Sequence, residues 1–102
     1  MVKDRLSLHE KLVEILGSPN VYFQPPANIN LRFPCIIYKV DNLDALRADN
    51  KRYLKQKRYL VTIVDRDPET TIPDRLLDMD YSSFSNHYCV DNLNHYICSV
   101  YW

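Results

Sequence analysis

The sequence predicts an α+β fold: a single antiparallel β-sheet with two short helices packed on it, in the order α-β-β-β-α-β-β. Three observations carry this expectation. Runs rich in β-branched and aromatic residues recur along the chain, punctuated by Pro, Asn and Asp. Helix-start signatures stand before the first strand and between the third and fourth. The connections between strands suit hairpins, which favours antiparallel pairing. At 102 residues the chain makes one domain, residues 1–102, that buries roughly 60–70% of the surface its unfolded form exposes.

Ser7-Leu-His-Glu10 has the form of a capping box, with Ser7 as N-cap. Leu8, Leu12, Ile15 and Leu16 follow as one apolar stripe at helical spacing. Gly17 and Pro19 stop it, so the first helix is expected over residues 7–16. Val21-Tyr-Phe23 is a short strand ended by Pro25-Pro26, and residues 24–33 form a loop. Pro34, allowed at a strand start, opens a strand over residues 35–40. Asn42 to Gln56 is polar and without clear period. Residues 57–64 form the clearest strand; Tyr59, Val61 and Ile63 on one face and Leu60 and Val64 on the other predict a central position. Thr71-Ile-Pro-Asp74 is a second cap signature with proline in the first turn, and Ile72, Leu76 and Met79 share a face, predicting a helix over residues 72–79. Residues 87–102 read as a hairpin turning at Asp91-Asn92, with Trp102 as an aromatic end to be buried in the subunit or against a neighbour.

Composition narrows the function classes. A formal net charge of zero, from 13 basic and 13 acidic side chains, provides no global field to draw the protein to nucleic acid or an anionic membrane. Cys35, Cys89 and Cys98 are an odd count inside strand-like runs, expected as free thiols in a reducing compartment. No apolar run nears the ~18 residues of a membrane helix, and the N-terminus has no signal-peptide form. With Gly17 the only glycine, phosphate-cradling loops and the Gly-x-Ser-x-Gly elbow are excluded.

The remaining chemical constellations are weak. His87, Cys89, His95 and Cys98 have metal-ligating side chains. On a two-residue hairpin, however, strand alternation puts His87, Cys89 and Cys98 on one face and His95 on the other. Cys89 or Cys98 with a histidine base has the residue types of a nucleophile pair but no oxyanion-hole motif. Asp65, Asp67 and Glu69 carry oxygen ligands for a divalent cation, yet they equally suit a turn before a helix N-terminus. No catalytic residue, metal site or cofactor is assigned.

Charge order says more than charge total. Arg47, Lys51, Arg52, Lys55, Lys57 and Arg58 crowd one segment with a single acid, Asp49. Asp65, Asp67, Glu69, Asp74, Asp78 and Asp80 crowd the next. Such a bipolar chain has two solvated faces, or it meets copies of itself head to tail and closes a ring. The candidate contact residues are Arg47, Asp49, Lys51, Arg52, Tyr53, Asp65, Asp67, Glu69 and Trp102.

From residue 20 onward several stretches resemble a known family: Asn20-Val-Tyr-Phe-Gln-Pro-Pro26, Pro34-Cys-Ile-Ile-Tyr38, Ala48-Asp-Asn-Lys-Arg-Tyr53, Tyr59-Leu-Val-Thr-Ile-Val-Asp-Arg-Asp-Pro68 and Asp91-Asn-Leu-Asn-His-Tyr96 with the aromatic strand after it. These resemble the tail-terminator (tail-completion, tail-to-head joining) proteins of long-tailed, non-contractile phages. The resemblance implies a structural virion protein of the neck: a homo-oligomeric, hexameric ring that terminates the tail tube. Its implied partners are the major tail tube protein and the head-tail connector or head-closure protein, with genomic DNA passing through the lumen without sequence specificity. It implies no catalysis, cofactor or membrane, and a location in the virion after assembly in the host cytoplasm. A head-closure or connector adaptor is the alternative, and a small intracellular cysteine hydrolase the remote one.

Overall fold

The computed structural model describes residues 5–26, 30–42, 58–80 and 82–102. They form α1 (Arg5–Leu16), β1 (Val21–Phe23), β2 (Cys35–Asn42), β3 (Arg58–Asp65), α2 (Ile72–Leu77), β4 (Ser82–Val90) and β5 (Leu93–Tyr101). The strands make one five-stranded sheet in the order β1-β2-β3-β5-β4. The expected α+β class, with a single sheet and two helices, is found, and among the described residues the elements follow the expected order with β3 central.

The expectation of a purely antiparallel sheet is corrected. β2–β3, β3–β5 and β4–β5 are antiparallel, but β1 runs parallel to β2, with Val21 opposite Ile36 and Phe23 opposite Tyr38. The reason is length. A three-residue strand spans about 10 Å, and the sequence between Phe23 and Cys35 is long enough to let β2 start beside the start of β1.

Cross-strand partners share a face. Register places Tyr38, Val61 and Cys98 in one row, and Val40, Tyr59 and Val100 in the next. Both helices cover this face: Leu8, Leu12, Ile15 and Leu16 of α1 and Ile72 and Leu76 of α2 join its strand residues in one buried cluster. Tyr38 is fully buried at its centre, its ring against Phe23 and Tyr59. Its hydroxyl accepts a hydrogen bond from Arg5 Nη1 at 3.2 Å and lies 2.8 Å from His9 Nδ1. The opposite face has no helix among the described residues.

The helices depart from expectation at one end each: α1 already includes Arg5, ahead of residue 7, and α2 closes at Leu77 instead of residue 79. α1 begins at Arg5, so Ser7 lies inside its first turn and is not the N-cap; its Oγ accepts instead from Trp102 Nε1 at 3.0 Å. Tertiary contact explains the extra turn, since Arg5 lies 4.4 Å from the Phe23 ring centroid besides bonding Tyr38. Gly17 ends α1 as expected, at φ +77 with its N–H on the Val13 carbonyl. At α2, Thr71 occupies the N-cap but makes no side-chain cap bond; the neighbouring Thr70 Oγ1 accepts from Ile72 N–H at 3.3 Å. Arg75 Nη1 bonds the Ile15 carbonyl at 2.9 Å, satisfying an orphan acceptor at the α1 C-terminus and tying the helices together.

Asp91 and Asn92 both have positive φ, 54 and 63, as a two-residue type I′ turn requires. The hairpin is longer than expected, because β4 starts at Ser82. Ser82-Ser-Phe-Ser-Asn86 is poor in strand formers, but β5 runs beside it for its whole length and offers ladder partners. A register irregularity between Phe84 and Asn86 accommodates the mismatch. Trp102 is half-buried and packs against the core.

Three stability measurements check this account. Tyr38→Phe, which removes the hydroxyl from partly hydrated partners, should cost about 1 kcal/mol, and Leu12→Ala about 2–5 kcal/mol, both by denaturant unfolding. Deleting Val100-Tyr101-Trp102 removes the buried Val100 and the Trp102–Ser7 bond, and should sharply lower thermal stability or abolish soluble expression.

Candidate functional site

The contact residues named from sequence divide sharply. Arg47, Asp49, Lys51, Arg52 and Tyr53 lie outside the described residues. Asp65 sits at the end of β3 with 9% exposure, and its Oδ1 accepts from Asp67 N–H at 3.0 Å. Asp67 Oδ1 in turn accepts from Glu69 N–H at 2.9 Å. These carboxylates are the acceptors of two successive Asx turns that lead the chain from β3 into α2. Asp67, Glu69, Asp74, Asp78 and Asp80 are exposed, so the acidic segment is a surface feature. Trp102 lines an open groove of about 290 Å³ with Lys11, Asp78, Met79 and Asp80.

The histidines and cysteines of the hairpin separate as strand alternation dictates. His87 stacks on Tyr96, at 4.5 Å between centroids, and its Nε2 lies 3.2 Å from Asn94 Oδ1. Tyr88 stacks on His95 on the other face, at 4.6 Å. Cys98 is fully buried opposite Val61, whereas Cys89 is exposed near the turn. Burial raises the Cys98 thiol to about 11. It also raises Cys35 to about 11, with the Asp65 charge adding to the effect. These two thiols are therefore protonated at neutral pH, the wrong state for a nucleophile.

Composition alone did not reveal the exposed hydrophobic surface. Among the described residues the exposed large hydrophobics are Leu6, Phe84, Tyr88, Val90 and Tyr101, and all but Leu6 belong to the β4–β5 hairpin. β4 is the sheet's edge among the described residues, and its own residues from Ser83 to Val90 are all exposed. Edge strands are ordinarily guarded by Lys, Pro or inward charges. Ser82–Val90 contains no Asp, Glu, Lys, Arg or Pro. The sequence signal was available as an uncharged, aromatic strand, but only the topology shows that it lies at an edge.

The cysteines give a direct check. A thiol reagent at pH 7–8 should modify Cys89 rapidly and Cys35 and Cys98 only after unfolding. Because both buried thiols hold their protons more tightly folded than unfolded, their contribution to stability is complete below the ordinary thiol value of 9.0 and is lost as pH rises through about 11. Unfolding midpoints of the wild type should fall over that range, less steeply in Cys98→Ala.

No family model matches this chain, and the curated proteins and the solved structures likewise contain no match to it.

Proposed function

We propose that this protein is a structural subunit of a phage neck: a chain that assembles with copies of itself into a hexameric ring terminating the tail tube and joining it to the head connector, with DNA passing through the lumen. The observation that carries the reading is the exposed apolar side chains of the uncharged hairpin strands, Tyr88, Val90 and Tyr101 on one face of the sheet and Phe84 on the other. Apolar side chains beside a sheet edge that carries no charge and no proline are costly in a free monomer and are a common mark of a protein contact. The resemblance of several stretches from residue 20 onward to tail-terminator proteins suggests the kind of assembly. The exposed acids from Asp67 to Asp80 support a head-to-tail contact with a basic segment of the next copy, which a ring repeats around its axis. No step of catalysis and no cofactor belongs to this reading.

Native mass spectrometry and sizing over a range of concentrations test it. The expected result is a closed ring species that grows with concentration and loosens as salt screens the charged contact. A monomer that becomes oligomeric only when a purified connector ring is added would favour the head-closure adaptor instead.

A further inference from the structure

Resting on the ring reading, we infer that the subunits join by sheet edges: β4 of one copy pairs antiparallel with β1 of the next, so that a single β-sheet runs continuously around the ring.

Strand direction supplies the argument. Following the pairings across the sheet, β1 and β2 run one way, β3 the opposite way, β5 with β2, and β4 with β3. The two outer strands, β1 and β4, therefore run in opposite directions. In a purely antiparallel five-stranded sheet they would run the same way; the parallel β1–β2 pair is what reverses them. Rotating a copy about an axis along the strands preserves both strand direction and sheet face. Such a rotation sets β4 beside the next copy's β1 in antiparallel orientation, the more stable ladder, and keeps every subunit's helices on the same side.

Both edges are fitted to the task. β4 has no charged side chain and is exposed from Ser83 to Val90; its edge is interrupted at the Phe84–Asn86 irregularity, where the His87 N–H bonds Asn86 Oδ1 at 2.8 Å, which leaves the stretch from Tyr88 to Val90 as its regular part. On β1, the Asn20 carbonyl and the Gln24 N–H bond to β2, so by alternation the Phe23 N–H and carbonyl face away from it. Val21–Phe23 is also free of charge. The β1 edge is short, so one junction is weak alone. Ring closure makes the last junction intramolecular and raises its effective concentration. At the usual interstrand spacing of about 4.8 Å, a hexamer of five-stranded sheets closes a cylinder roughly 46 Å across, and wider if the strands tilt.

Three variants of the full chain test this. Phe84→Lys with Val90→Lys disables the β4 edge, Tyr22→Lys charges the β1 edge, and Leu6→Lys is an exposed control on α1, outside both strands. Circular dichroism and thermal unfolding first establish that each is folded. Either edge variant alone should lose the ring by native mass spectrometry, while the control keeps it. Mixing the two edge variants should restore dimers and nothing larger, since one intact β4 meets one intact β1. Independently of any substitution, hydrogen exchange on the wild type should show β4 amides gaining protection as concentration rises.

Rings that survive in both edge variants, or a Tyr22→Lys chain that still dimerises alone through β4, overturn the edge junction and leave the ring reading standing. Wild-type protein that stays monomeric at every concentration overturns the ring reading and this inference together.

Discussion

The fully buried side chain of Tyr38 is the point on which the two layers of this protein converge. Its ring lies against Phe23 from β1 and Tyr59 from β3, and its hydroxyl meets Arg5 and His9 from α1. A buried hydroxyl without partners would cost a few kcal/mol, so this tyrosine sets the position of the helix as well as filling space. With α1 placed, Leu8 and Leu12 fall onto the same sheet face, and Arg75 of α2 reaches the Ile15 carbonyl. The two helices are thus linked to each other and to the sheet by a few buried or half-buried polar contacts within a largely apolar interface.

Covering one face and one part of the sheet leaves the rest unequal. The centre of the sheet, β3, is packed between neighbours and under the helices, while β4 projects its residues into solvent on both faces. The hairpin therefore combines a stable inner strand with an exposed outer one. Its paired aromatic stacks, His87 on Tyr96 and Tyr88 on His95, give the exposed strand local order that does not depend on the core. An uncharged edge ordered in this way would bind with little ordering cost, which suits the proposed role in assembly.

The same geometry bears on chemistry. Residue types that suggested ligands or nucleophiles are distributed by strand alternation to opposite faces or into the core. His87 and His95 are each committed to an aromatic neighbour, Cys35 and Cys98 are buried and hold their protons, and the carboxylates of Asp65 and Asp67 accept backbone hydrogen bonds. Each of these side chains has a structural explanation, and the proposed role in assembly draws on none of their reactivity.

Much of the fold was legible in the residues because it is written in local physics. The stripe of Leu8, Leu12, Ile15 and Leu16 fixed a helix, Gly17 fixed its end through a positive φ, and Asp91-Asn92 fixed a two-residue turn and hence the parity of every residue on β4 and β5. The α+β class and the central place of β3 follow from the same patterns. Other features depended on contacts distant in sequence: the extra turn at Arg5, held by Phe23 and Tyr38; the strand character of Ser82-Ser83, imposed by β5; and the parallel pairing of β1, permitted by the length of sequence between Phe23 and Cys35. The exposed edge belongs to this second group. Ser82–Val90 is recognisably uncharged in the sequence, but a strand becomes an edge only when the sheet order leaves one side without a neighbour, and that order is set by tertiary packing because backbone hydrogen bonding does not itself select which strands meet.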